Sequence, residues 1–185
     1  MVPGSALRVA GCDLGKASAR FVVGRVGARG EWAEEDRRAL PHDGRPMEAF
    51  AAWYRELGVS SCAALGATGL YATELAAPAT AGLPEDACLE AALRGGRHGE
   101  GPLNLVSVGA RGYSVLTRAP DGRIQYLENE KCSSGTGETM VKIAARFGLS
   151  IQEADQMARS AGQAIPITAR CSVFAKSEMT HFGNQ

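Results

Sequence analysis

A chain of 185 residues is the size of one ordinary domain, and 45% apolar with 22% charged side chains is the composition of a folded globular protein. Its 20 basic and 20 acidic residues cancel, so no basic stripe argues for a nucleic-acid or membrane-surface partner. No apolar run approaches the ~18 residues of a membrane span, and Met1-Val2-Pro3-Gly4-Ser5 lacks the charged and apolar regions of a signal peptide. The expectation is a cytoplasmic protein. Cys12, Cys62, Cys88, Cys132 and Cys171 are odd in number and widely spaced, which fits packed thiols or ligands and not a disulfide framework.

In chain order, Leu7 to Cys12 reads as a strand ending at Asp13-Leu14-Gly15, and Phe21 to Val26 as a second before the turn Gly27-Ala28-Arg29-Gly30. Met47, Phe50, Ala51, Tyr54 and Leu57 recur near a period of 3.6, with Gly58 as a stop, which predicts an amphipathic helix. Cys62 to Ala67 reads as a buried strand, and Glu85 to Leu93, after Pro84, as another helix. The opening pattern then returns: strands over Leu103 to Val108, Tyr113 to Thr117 and Ile124 to Leu127, with turns at Gly109 and Pro120-Asp121-Gly122. Gly15 and Gly109 superpose at an offset of 94 residues, which places Asp13 opposite Ser107 and predicts two related lobes, 1–101 and 102–185. Beyond Leu127 the pattern is helical. Met140, Ile143, Ala144 and Phe147 line one face ended by Gly148, a Ser150/Glu153 capping box opens the next helix, and a third starts near Ser172. Met140 and Met157 are expected in the core, and His42, His98 and His181 on loops or helix surfaces without a metal triad.

Gly11-Cys12-Asp13-Leu14-Gly15-Lys16 is not a Walker A loop, because three residues separate its glycines and Ala17 follows the lysine. A strand ending in Asp-x-Gly and turning into another strand is either an ordinary hairpin or a different phosphate device. In the second case the carboxylate reaches metal-bound water and the glycine lets amides approach phosphates. Asn129-Glu130-Lys131-Cys132-Ser133-Ser134-Gly135-Thr136-Gly137 leads into a helix, whose first amides and dipole suit an anion. Cys132 and Cys171 each precede a helix start, where a thiolate is stabilised. They are either buried fillers or two of the four thiols of a 4Fe–4S cluster completed by a twofold dimer.

These blocks, with Ala67-Thr68-Gly69-Leu70-Tyr71 and Arg170-Cys171-Ser172-Val173-Phe174-Ala175-Lys176-Ser177-Glu178, resemble the ATP-dependent activators of 2-hydroxyacyl-CoA dehydratases, a group that includes the ATPase subunits of benzoyl-CoA reductase. The resemblance implies an α/β, actin-like ATPase fold shared with sugar kinases and heat-shock chaperones, with duplicated lobes and nucleotide in the interlobe cleft. It also implies a homodimer, or a pseudo-dimer with a homologous domain, sharing one 4Fe–4S cluster on Cys132 and Cys171. The expected cofactors are that cluster and ATP or ADP with Mg. The expected partner is an acyl-CoA dehydratase or reductase component, which receives the electron.

On this resemblance Asp13 is the catalytic carboxylate, and Gly15, Lys16, Ser18, Gly109, Gly135, Thr136 and Gly137 bind nucleotide. Lys16, Ala17 and Ala19 replace the hydroxyl residues usual in the first loop, and Arg20 a usual lysine. Ser107-Val108-Gly109-Ala110-Arg111-Gly112 carries neither carboxylate of the second loop. A serine does not replace a magnesium- or water-positioning carboxylate in kind. The alternative reading is therefore a lobe that binds nucleotide without hydrolysis and serves as a structural or electron-relay partner; a small-molecule kinase of the same superfold is the third. No later glycine-rich adenosine segment occurs, so the second lobe is expected to be incomplete and the chain a fragment or the front of a longer protein.

Overall fold

The computed structural model describes residues 6–75, 80–95, 101–110, 112–129, 136–167 and 171–183, and the chain divides into two compact units, Met1–Gly99 and Glu100–Gln185.

The first unit is built on a five-stranded sheet in the order β3-β2-β1-β4-β5, comprising β1 (Leu7–Leu14), β2 (Ser18–Val26), β3 (Trp32–Pro41), β4 (Ala64–Thr68) and β5 (Thr80–Gly82). β1 is antiparallel to β2 and parallel to β4, so its backbone is paired on both edges. Register stacks core side chains in rows: Ala10 lies beside Val23 and Leu65, and Cys12 beside Phe21 and Ala67. Helix α1 (Pro46–Glu56) covers this face with Phe50 and Trp53; the Phe21 and Trp53 rings stack with centroids 4.6 Å apart. Pro46 opens α1 with φ preset and no amide to satisfy. Gly58, in the left-handed region at φ 56°, follows its end and starts the 3₁₀ turn Val59–Ser61. Helix α2 (Glu85–Gly95) follows β5.

The strand signals read in the sequence do not extend to Trp32–Pro41, where Glu34, Glu35, Asp36, Arg37 and Arg38 interrupt apolar alternation. In the structure this is an edge strand, where charge is tolerated and discourages further strand pairing. Its charges are locally paired: Glu35 accepts from Arg8 and Arg25, each at 2.7 Å, and Arg38 bridges to Asp36 and Glu56 at 3.0 and 2.8 Å. These hydrogen bonds hold the Glu35 carboxyl below the usual range.

The second unit opens with a three-stranded antiparallel meander, β6 (Leu103–Val108), β7 (Tyr113–Arg118) and β8 (Ile124–Glu128). Each unit thus starts with a strand, a glycine-containing turn and two further antiparallel strands, which is the repeated order seen in the sequence. Helices α3 (Thr136–Arg146), α4 (Ile151–Ser160) and α5 (Ser172–Gly183) follow. The capping box at α4 is present in full: Ser150 Oγ accepts from the Glu153 amide at 3.2 Å, and the Glu153 carboxylate accepts from the Ser150 amide at 2.7 Å. Met140 and Met157, expected in the core, are 50% and 59% exposed. The reason is that α3 buries only Ile143 and Ala144, and α4 buries no residue.

Truncation of Trp53, which is 1% exposed, removes the largest side chain of the first core. Trp53→Ala is expected to lower stability by about 3–5 kcal/mol in urea unfolding. Trp53→Phe should cost less, because the buried Nε1 makes no hydrogen bond that the change would remove. Burial, with Asp13 adding to it, pushes the Cys12 thiol up from 9.0 to about 12. The unfolded thiol ionises first, so this contribution is intact below about pH 9 and is lost as pH rises toward 12. Urea midpoints of the wild type relative to Cys12→Ala are expected to fall across that window and stay level below it.

Candidate functional site

The turn between β1 and β2, Gly15 to Ala17, is the best-defined candidate. Its orientation begins with the alternation of β1: Ala10, Cys12 and Leu14 enter the core, which sends Gly11 and Asp13 to the other face. There a cavity of about 550 Å³ is lined by Gly11, Asp13, Val22, Gly66, Thr68 and Cys88 among others. Asp13 stands opposite Arg20 in the β1–β2 register and forms an ion pair with it at 3.0 Å. The carboxylate expected to serve magnesium or water is therefore held by the arginine that replaces the usual lysine. Lys16 is exposed and Ser18 half-buried.

Two neighbouring segments hold this turn. The Tyr71 amide donates to the Leu14 carbonyl at 3.1 Å. Gly69, at φ 94°, comes so close that a Cβ there would lie 2.6 Å from Asp13 Oδ1 and 2.7 Å from the Leu14 carbonyl oxygen. Only glycine combines that backbone angle with that approach, which gives the Thr68-Gly69 block its physical meaning. The second segment carries His42, placed by the sequence pattern on a loop or helix surface. It does follow β3 in a loop, but it is only 5% exposed, and its ring contacts the Gly15 carbonyl at 2.9 Å. The one signal was Asp43-Gly44, a turn pair after a strand that was itself hidden by its charges.

In the second unit the Gly109 amide donates to the Gly112 carbonyl at 2.8 Å, closing the turn between β6 and β7. The Gly137 amide donates to the Gly109 carbonyl at 3.0 Å and the Glu138 amide to the Ala110 carbonyl at 3.4 Å, so the start of α3 is fastened to this turn. A Cβ on Gly137 would lie 2.6 Å from the Gly109 oxygen. Gly137 and Gly109 are therefore brought together, with the Gly137 amide engaged by the turn. Thr136 is the first residue of α3. Ser107, opposite Asp13 in the repeat, lies in β6 paired with Ser114 of β7. Asn129 Oδ1 accepts from the Tyr113 amide at 2.7 Å, which ties the segment entering the cysteine block to the same turn.

Cys132 and Gly135 lie outside the described residues. Cys171 is a free, half-buried thiol whose carbonyl accepts from the Ala175 amide at 3.0 Å, placing it at the N-terminal cap of α5. Among the described residues no three His, Cys, Asp or Glu side chains stand together as a metal site, and no helix is long and apolar enough to cross a membrane.

No protein-family model matches the chain. Among solved structures, the activator of 2-hydroxyisocaproyl-CoA dehydratase from Clostridium difficile with bound ADPNP matches 96% of this chain and 66% of its own, with TM-score 0.74 and 19% identity. Component A of (R)-2-hydroxyglutaryl-CoA dehydratase from Acidaminococcus fermentans matches 96% and 68%, with TM-score 0.72 and 17% identity. A Ppx/GppA protein from Aquifex aeolicus matches 84% of the chain with TM-score 0.51.

The fold is the actin-like ATPase fold.

In sequence, the chain is 28% identical over 76 residues to the 2-hydroxyisocaproyl-CoA dehydratase activator of Clostridioides difficile. It is 28% identical over 76 residues to the activator of lactoyl-CoA dehydratase of Anaerotignum propionicum, and 31% identical over 75 residues to YjiL, an uncharacterized protein of Escherichia coli. Each stretch spans 40% of this chain and 29% of the relative. The resemblance to acyl-CoA dehydratase activators is thus present in sequence and in fold.

Gly69→Ala is expected to cost more than about 1 kcal/mol and more than Gly122→Ala, which shares a positive φ (80°) but has open space around its Cβ position. Paired thermal melts measure the difference, which isolates the crowding against Asp13 and Leu14.

Proposed function

We propose that this chain is an ATP-linked activator component for an acyl-CoA dehydratase or reductase, carrying one half of a 4Fe–4S cluster site. The observation that carries the reading is the sequence match to two proteins named as dehydratase activators, supported by the fold of an activator that binds ADPNP. In this reading the turn around Gly15, with Lys16 and Ser18, meets nucleotide phosphates, and Asp13 serves the Mg-bound side. Gly109 and Gly137, which fasten the second turn to α3, serve the nucleotide together with Gly135 and Thr136. Cys171 at the cap of α5 fits a thiolate ligand, because helix amides and dipole favour its negative charge. One chain offers two candidate ligands, Cys132 and Cys171, so four thiols require a homodimer or a homologous partner domain. Bound there, the cluster supplies one-electron chemistry. A reducing, cytoplasmic setting suits the free thiols.

A second reading is favoured by the end of β6, where Ser107 stands in place of a carboxylate. There the lobe binds nucleotide without turning it over and acts as a structural or relay partner to a competent homologue.

Anaerobic purification followed by iron, sulfide and visible-absorption measurements tests the cluster. About four irons per dimer are expected, and Cys132→Ala or Cys171→Ala should each abolish them. A folded, iron-free wild type that also takes up no iron and sulfide on reconstitution rejects the cluster role. ATP turnover in the wild type separates the first reading from the second. In the second, hydrolysis is absent and Ser107→Asp raises it.

A further inference from the structure

We infer that His42 is a positioning residue for the first phosphate turn, an inference that rests on the nucleotide-binding reading above. Every polar atom of this buried residue is used, and two of the four, the backbone amide and Nε2, serve the turn. The Gly44 amide donates to Nδ1 at 3.2 Å. Nδ1 is thus an acceptor, which assigns the ring proton to Nε2, and Nε2 donates to the Gly15 carbonyl at 2.9 Å. The His42 amide donates to the Ala17 carbonyl at 3.4 Å, and its carbonyl accepts from Arg45 at 2.8 Å. The ring is backed edge-on by Tyr71, centroids 5.9 Å apart. Tyr71 in turn holds the Leu14 carbonyl through its own amide.

The consequence follows from peptide geometry. A trans peptide plane carries its C=O and N–H in opposite directions. Drawing the carbonyls of Leu14, Gly15 and Ala17 toward Tyr71 and His42 turns the following amides of the same planes the other way. A turn that meets phosphate must present amides on one side, and His42 sets two of the three planes that decide which side that is. The support for the ring is itself built in: Asp43 and Gly44 adopt φ of 48° and 81°, bending the chain back so that the Gly44 amide meets Nδ1.

His42→Leu keeps an apolar side chain but makes neither ring hydrogen bond, whereas His42→Gln offers an amide donor and a carbonyl acceptor. Equilibrium binding of MgATP and of AMP to the full chain, measured alongside thermal melts, reads the role. His42→Leu is expected to weaken MgATP by about tenfold with AMP changed far less, and His42→Gln to recover most of the loss. MgATP binding equal to wild type in His42→Leu, or a parallel loss of both nucleotides that tracks the melting temperature, overturns the inference. Imidazole ¹⁵N resonances of the wild type give a reading independent of whether the variants fold. A protonated Nε2 that shifts on MgATP addition is expected, and a protonated Nδ1 overturns it. Wild type that binds no MgATP instead rejects the nucleotide reading itself.

Discussion

The register of β1 is the constraint on which the first unit depends. Alternation along a strand has a period of two, so a slip of one residue would bury Asp13 and expel Cys12 and Leu14. Pairing on both edges prevents that slip: Cys12 is locked beside Phe21 on one side and Ala67 on the other. The same rows that make the core therefore aim the carboxylate at the opposite face and deliver Gly15 to the end of the sheet. Stacking of Phe21 on Trp53 ties this register to α1, so the helix that covers one face also fixes what the other face presents.

The two glycine turns are held by different means. In the first unit, carbonyls are captured by Tyr71 and His42 from segments distant in sequence, and Gly69 permits the approach. In the second, the turn closes on itself from Gly109 to Gly112 and receives two amides from the start of α3. The second arrangement couples a turn mechanically to the helix that follows the Cys132 block, while offering no carboxylate at Ser107 for hydrolytic chemistry. The two turns are thus related in topology and unequal in chemical means, which is why turnover and cluster binding are separate questions for this chain.

Much of the fold was legible because apolar periodicity reports burial. The β1, β2 and β4 strands and α1 bury an apolar face, and their residues show it; the β6–β8 meander was legible from its turns and β-rich runs, although only β7 holds fully buried residues. β3 was not legible, because an edge strand satisfies its backbone on one side only and takes its side chains from the charged set; Glu34 to Arg38 resemble a solvated loop. The exposure of Met140 and Met157 was hidden for the converse reason: an amphipathic pattern states which face is apolar, not whether anything covers it. Of the candidate site, Asp13, Gly15 and Gly109 could be placed by motif, and Cys171 at a helix start by the pattern after it.

By itself the sequence determined the alternation of β1, the repeated strand–turn–strand order, the glycines that turns require and the helix starts beside Cys171 and Ser150. All of these are local, set by side-chain period and backbone freedom within a few residues. Only the tertiary structure decided that Arg20 holds Asp13, that Gly69 must be glycine because of Leu14, and that His42 is a buried bridge to Gly15. Those relations join residues 7 to 55 positions apart, and they exist only once strand register and the bend at Asp43-Gly44 have brought the partners within hydrogen-bonding or van der Waals range.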